Sequence, residues 1–380
     1  MRSNAPAFTL LLAAGLLAAC GTDEVERELG PKSPDTSELW GEAGERWSPD
    51  SRLPDFSRAG YRQGEAPLPE VPVAASVRDF GAVGDGVTDD SAAFLAALVA
   101  VDSGALFIPE GRYRLTEVLR LDRSDVVLRG AGRDRTVLYF PEHLYAVEGV
   151  GPQLSPYGPY GWSWTGGFIW AEAEPVDEPL LTRVTRRSAR GDDSDEVEST
   201  AGIEPGDFVR LVQYESDGSL TLHLHAGQPL DGPCLVDEPG FKIVDWALEV
   251  EAVEGRRLVF GRPLRLDVSP EWGAEIRAYR PALREVGVEH LTIEFPETEY
   301  NGHHKEPGYN GILFHGVHDG WVRDVAIVNF DAGIHFWYTR YSTVDGVLPT
   351  GRAGHYGLNL GGRQYSVMTR FVLENSSVHD

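Results

Sequence analysis

VRDFGAVGDGVTDDSAAFLAAL, residues Val77 to Leu98, joins a glycine-rich half to an apolar half. Its first half is a turn, because Gly81, Gly84 and Gly86 permit backbone conformations that tight turns demand. Its second half starts a helix. Asp89, Asp90 or Ser91 can cap a helix over Ala92 to Val101, with Phe94, Leu95 and Leu98 on one apolar face.

Beyond that helix, Ala105 to Ile108 and Arg112 to Leu121 read as the first strands. Asp125 to Tyr139 (DVVLRGAGRDRTVLY) reads as strand, glycine turn, strand. From Val286 onward the chain repeats. Gly311-Ile312-Leu313-Phe314, Gly333-Ile334-His335-Phe336 and Gly357-Leu358-Asn359-Leu360 are 22 and then 24 residues apart. A second apolar element follows each glycine after 11 positions: Val322/Val325, Val344/Val347, Met368/Phe371. Two markers holding one spacing through three turns predict a solenoid, each turn one coil, with coils about 4.8 Å apart. Val288 to Ile293 opens the preceding coil. Its 34-residue separation from Val322 leaves roughly a dozen surplus residues in a loop around NGHHKEPGY, Asn301 to Tyr309. Where the sequence ends, at Asp380, a further coil should begin, so the solenoid reads as a fragment or as open at its last coil.

Residues 141–285 read as an insertion. Gly206 to Tyr279 alternates apolar and polar residues (FVRLVQY, LTLHLH, WALEVEAV, RRLVFGRPLRL), predicting an antiparallel β unit beside the solenoid. On that pattern His223 and His225 share a strand face, where two imidazoles can bind a metal, although solvated strand histidines are commoner.

The first 20 residues, MRSNAPAFTLLLAAGLLAAC, pair a basic start with a short apolar run. Leu17-Ala18-Ala19-Cys20 resembles a lipoprotein cleavage box, which makes Cys20 the expected lipid attachment and the periplasm or cell surface the expected location. Residues 21–70 read as a polar tether whose aromatic end, LPDFSRAGYRQGE, is expected to dock on the helix cap. Cys234 would then be the remaining thiol, so no intramolecular disulfide is expected. A net charge of −25 argues against nucleic acid as a partner. Residues 301–380 are near balance, with six Lys/Arg, seven Asp/Glu and seven of the eleven histidines.

The Val77–Leu98 segment resembles the opening of the pectate-lyase superfamily domain, shared by polysaccharide lyases, pectin-type hydrolases and phage tailspikes. The resemblance implies an all-β fold, a right-handed parallel β-helix whose N-terminal helix covers the unpaired end of the solenoid. Residues 71–140 then hold the cap and first coils, and 286–380 the later coils. It also implies a polysaccharide partner. Asn329-Phe330-Asp331-Ala332-Gly333 and Gly354-His355-Tyr356-Gly357 are loosely similar to two polygalacturonase elements, Asn-Thr-Asp-Gly and Gly-His-Gly. The Asp-Asp pair between those elements and the later Arg-x-Lys are missing here. The acidic cluster that holds calcium in related lyases has no counterpart, so calcium is allowed but not indicated.

Alternation along the repeats predicts three stacked outward files: Tyr309/Asp331/His355, Gly311/Gly333/Gly357 and Leu313/His335/Asn359. The middle file would be a bare backbone floor for a sugar ring. The loop bearing His303, His304, Lys305 and Glu306 lies beside it, with Tyr338, Arg340, Arg352 and Arg363 further along. In β-elimination from a uronate, His335 or His355 would take the C5 proton. Lys305 or Arg363 would offset the carboxylate charge, and Tyr309 or Tyr338 would protonate the leaving oxygen. In hydrolysis Asp331 and Glu306 would be the flanking carboxylates. His303, His304, Glu306, Asp331, Tyr338 and Asn359 are the expected substrate contacts. The leading expectation is an anchored polysaccharide lyase acting on an acidic glycan. A glycoside hydrolase comes second, and a glycan-binding β-helix using Trp321, Trp337 and Tyr341 third.

Overall fold

The structure is a computed structural model that describes residues 41, 44–51, 55, 58–152, 160–173, 178–228, 240 and 242–361. Cys20, Cys234, Arg363, Met368 and Phe371 lie outside the described residues. Chain contacts separate Met1–Ser33 from Pro34–Asp380, and all the described residues lie in the second unit.

The repeat spacing becomes ladder register. Asn310–His315 pairs in parallel with Ala332–Trp337, Ile312 opposite Ile334, and that strand pairs with Tyr356–Gly361, Ile334 opposite Leu358. Gly287–Glu294, Trp321–Val328 and Thr343–Thr350 pair likewise, Val288 opposite Val322 opposite Val344. The 22-, 24- and 34-residue offsets read from the sequence are therefore coil lengths. With parallel crossovers running right-handed, this is the expected β-helix. Two parallel sheets form its walls. One runs from the cap through Gly104–Ile108, Val126–Gly130 and Gly287–Glu294. The other comprises Leu119–Leu121, Ile169–Ala171, Asn310–His315, Ala332–Trp337 and Tyr356–Gly361.

Single residues of left-handed conformation turn the walls, one stack per corner. Glu285, Asp319 and Tyr341 form one such stack, and His290, Asp324 and Gly346 another, all with positive φ. Non-glycine residues rarely hold this conformation, and neighbours in the coil stabilise it here. His290 Nδ1 lies 2.8 Å from Asp324 Oδ2 across one corner. Between the walls the core is a file of stacked apolar side chains. Phe314 and Phe336 stack at 5.1 Å, and Phe140, Phe168 and Phe295 extend the file. Each buried ring contributes about 1.5–3 kcal/mol relative to exposure.

The cap helix runs Ser91–Ala100. Phe94 and Leu98 are buried as expected, but Leu95 is exposed, and Ala93 and Ala97 complete the inner face. Asp90 is spent on the preceding turn, accepting from Val83 N and Gly84 N, while Asp89 Oδ1 accepts from Ser91 N.

The tether end does not sit on this cap. Tyr61 packs edge-on against Trp321 at 5.5 Å, its OH donates to Glu285, and Arg62 N donates to Asp319. With Ala105 and Val127 these rings form a small separate core. Residues 60–71 thus cover the outer face of the first sheet. The competing surface won because Gly287 leaves space beneath the Trp321 indole, so the ring lies flush with the wall.

The antiparallel unit is present, six strands with its own core between Leu180 and Ala278. It leaves the coil after Ile169–Ala171, which still pairs within the second sheet, and returns at Leu283–Arg284. LTLHLH is not one of its strands. Ser219–Leu224 is helical, so His223 and His225 do not share a strand face as expected. His223 lies 3.4 Å from Asp267 and against Trp272, and His225 Nδ1 meets Thr221 O. Glu215 explains the switch. Its carboxylate collects Ser216, Asp217, Gly218 and Thr221 backbone N–H groups and fixes the helix start.

The glycine file is also reassigned. A Cβ on Gly311 would stand 2.5 Å from Gly333 O and 3.2 Å from the core side chain of Ile327. These positions face the next coil and the interior, so they are no floor for a sugar. Gly311→Ala should therefore cost about 1–3 kcal/mol through overpacking. Gly261→Ala, where an added Cβ meets nothing within 4 Å, should be near neutral. Thermal unfolding of both variants checks this, and equal midpoints would contradict it.

Candidate active site

The outer face of the second sheet carries two files of side chains. Arg120, Trp170, Leu313, His335 and Asn359 stack in register, and His315 and Trp337 form the next file. Glu172 follows Ala171, the partner of Phe314, and so stands beside His315. Its strand starts are covered by other parts of the chain, and its strand ends border the inserted unit across a cleft.

At the strand starts, Tyr160–Thr165 folds across as a strap. Asn310 Nδ2 donates to Trp162 O and Thr165 O, Trp337 Nε1 donates to Trp164 O, and Trp164 Nε1 reaches Tyr356 OH. The loop Tyr300–Glu306 closes on the strap through Glu306, which is 1% exposed. Ser163 Oγ, Tyr300 OH and His304 N donate to its carboxylate, and His355 Nδ1 lies 3.0 Å away, off the line of a good hydrogen bond. Burial pushes this carboxylate up, but the contacts from His355, Ser163 and Tyr300 outweigh it and hold the pKa at about 2. The Tyr300 phenol is pushed up by burial and by Glu306.

This closure decides where the expected site residues lie. His303, His304 and His355 do gather, with ring centroids 3.7 Å (His303–His304) and 4.3 Å (His303–His355) apart. Only His303 and Lys305 of that group are exposed. His335 is 0% exposed, its Nδ1 accepting from Asn359 Nδ2 and its Nε2 unpartnered. Burial first, and the neighbouring His355 second, push its pKa down to about 3. An imidazole closed off by a strap cannot meet a sugar, so His335 is not the base the alternation predicts. Asp331 takes Gly308 N, Tyr309 N and Arg352 Nη2, and Tyr309 packs on Phe295 and His143. Asp331 and Glu306, the expected hydrolytic pair, are both consumed by structural contacts. Of the three expected recognition aromatics, Trp321 and Tyr341 are fully buried and Trp337 is partly buried. Among the described residues no group of three or more His, Cys, Asp or Glu is arranged to hold a metal.

At the strand ends the face opens. A cleft of about 270 Å³ lies between the coil and the inserted unit, lined by His315, Gly316, Tyr338 and Arg340 on one side. Glu178, Arg210, Lys242, Tyr279 and Arg280 line the other. His315 Nδ1 is paired with Glu172, and each side chain is 37% exposed. His315 first, and Trp170 Nε1 and Arg120 further down, hold the Glu172 carboxylate below the usual range against the opposing effect of burial. Tyr338, the one expected contact that reaches this cleft, has its ring 5.4 Å from that of His315. A carboxylate fixing one imidazole nitrogen leaves the other directed for proton transfer, and the cations beside it favour an anionic ligand.

His315 and Glu172, the dyad, are 143 residues apart in sequence. The signal for His315 was its place two positions after Leu313, in the outward file, but nothing local announces Glu172 or the cations of the inserted unit.

Residues 74–153 match the family model described as rhamnogalacturonase A/epimerase, pectate lyase-like. Over 164 residues the chain is 29% identical to the mannuronan C5-epimerase AlgE5 of Azotobacter vinelandii, covering 35% of this chain and 16% of that protein. Over 93 residues it is 41% identical to AlgE6 of the same organism, covering 22% and 10%. The chain thus spans a small part of the curated relatives it matches. The tailspike protein gp49 from Pseudomonas phage LKA1 superposes with a TM-score of 0.50 at 16% identity, over 76% of this chain and 44% of that one. At that identity the likeness speaks for the β-helix fold.

The buried His335 makes a test of the closure. Unfolded, its imidazole titrates near pH ~6.5, whereas folded it stays neutral down to about 3. Between those values the unfolded chain binds the extra proton, so stability falls as pH falls. His335→Gln should remove about 1.4 kcal/mol per pH unit from that slope between pH ~4 and ~6. Denaturant unfolding across this range reads it, and an unchanged slope would mean that the strap leaves His335 open.

Proposed function

We propose that this pectate-lyase-like parallel β-helix is a carbohydrate-active enzyme that removes the C5 proton of a uronate residue in an acidic polysaccharide. The observation that carries the proposal is the His315–Glu172 dyad, half-exposed at the mouth of a cation-lined cleft. Its chemistry follows from those groups. The free nitrogen of His315 takes the C5 proton while Glu172 stabilises the resulting imidazolium. The electron pair left at C5 spreads onto the C6 carboxylate, where the guanidinium and ammonium groups of the cleft offset its charge. For β-elimination the pair then forms a C4–C5 double bond, the C4–O4 bond breaks, and Tyr338 protonates the departing O4.

Epimerisation is the second reading, favoured because both sequence relatives quoted above are mannuronan C5-epimerases. It shares the first step and ends with a proton returned to the other face of C5. Hydrolysis is disfavoured by the two saturated carboxylates, Asp331 and Glu306. The proposal retains Cys20 as a lipid anchor at the periplasmic or outer surface. Cys20→Ala should shift the protein from the membrane to the soluble fraction, and an unchanged distribution would remove the anchor.

Incubation with polymannuronate, polyguluronate and polygalacturonate in deuterated water tests the reaction. Deuterium at C5 of recovered polymer, or ultraviolet absorbance from unsaturated ends, is the expected result. His315→Ala should lower either signal by about 10²–10⁴-fold. New reducing ends without unsaturation or deuterium would favour a hydrolase. Full activity in His315→Ala would overturn the assignment of the base.

A further inference from the structure

The inserted unit departs from the coil directly after Glu172 and returns before the strand at Leu283, so its cations stand beside the dyad by connectivity. Those cations are not equivalent. Asp245, fully buried on the strand Lys242–Glu254, is the hub of the group. Arg210 holds it with a forked pair and also contacts Glu178, while Lys242 Nζ lies 3.0 Å and Arg340 Nη2 3.8 Å from it. Arg210 and Arg340 are therefore committed to the cleft wall. Lys242 shares a carboxylate that already serves two guanidinium groups. Its pKa is pushed down by burial, with Arg210 and Arg277 adding to the shift and Asp245 opposing it.

Arg280 differs from all of these. It is exposed on the cleft rim, and among the described residues only its backbone N–H is engaged, by Glu178. Among the described residues the four cations Arg210, Lys242, Arg280 and Arg340 face three carboxylates, Glu172, Glu178 and Asp245, so the cleft keeps a positive charge on a chain whose net charge is −25. A cleft with surplus cations beside a proton-transfer dyad is built for an anion.

Resting on the functional reading above, we propose that Arg280 and Lys242 form an anion subsite that reads the sugar carboxylate. On this proposal the inserted unit, not the coil, determines that the substrate is acidic. Arg280 grips the carboxylate as a planar fork, and Lys242 adds a point charge beneath it. A neutral sugar would leave Arg280 desolvated with no carboxylate to grip, which is how such a subsite rejects it.

Binding, independent of turnover, is the test. Calorimetry with a His315→Ala background and uronate oligomers of defined length would be compared with the same oligomers after carboxyl reduction. The background should bind the acidic oligomers and not the reduced ones. Adding Arg280→Gln should weaken acidic binding about tenfold, and Lys242→Gln should act similarly. Arg280 is on the surface, so its variant carries the test even if Lys242→Gln unfolds. Equal binding of acidic and reduced oligomers, or unchanged affinity in Arg280→Gln, would overturn the subsite. Normal acidic binding with no turnover by the parent protein would leave the subsite standing and sink only the reaction.

Discussion

Parallel pairing in fixed register, coil upon coil, is the constraint on which everything else depends. Because side chains alternate across a strand, a slip of one residue in any coil would exchange core and surface for that coil. Two features hold the register: left-handed corners that stack from coil to coil, as Glu285, Asp319 and Tyr341 do, and glycines packed against the carbonyl of the next coil. Given that register, Phe314 must lie on Phe336 inside, and Leu313 must lie on His335 outside. His315 and Glu172 become neighbours for the same reason, although the whole inserted unit intervenes between them in sequence.

A bare solenoid would expose two long walls, and this chain covers both selectively. Residues 60–71 seal the first wall around Trp321. The strap Tyr160–Thr165 and the loop ending at Glu306 seal the starting end of the second wall. What remains open is the finishing end of that wall, roofed by the inserted unit. The histidines at the strand starts (His303, His304 and His355), here the rim histidines, and the cleft are separated by one strand, five residue steps or about 17 Å. The two centres share a sheet but not an environment. One sets the buried Glu306 and His335 beside an exposed His303, while the other is half-exposed and lined by cations.

The sequence made the fold legible because its markers are local. The turn–helix segment at Val77–Leu98 and the glycine spacings of 22 and 24 residues each report on a neighbourhood of one coil. The clustering of His303, His304 and His355 was legible in the same way, since register alone brings that loop and that coil together. Burial was not legible. His335 alternates outward correctly, yet Trp162 and Trp164, some 170 residues earlier, close over its face. The dyad and its cations escaped for a related reason: Glu172, Arg210, Lys242 and Arg280 lie in a segment whose docking the repeat pattern does not encode. LTLHLH shows the opposite failure, a period-two pattern overridden by the backbone N–H groups that Glu215 collects.

The most direct measurement is a titration of the histidine ring resonances with a uronate oligomer, followed by nuclear magnetic resonance on selectively labelled protein. If the open cleft is where the sugar binds, the His315 resonances move with the binding isotherm, and those of His335, His355 and His304 stay in place. Movement of the rim histidines with a silent His315 would contradict the account and return the site to the other end of the sheet.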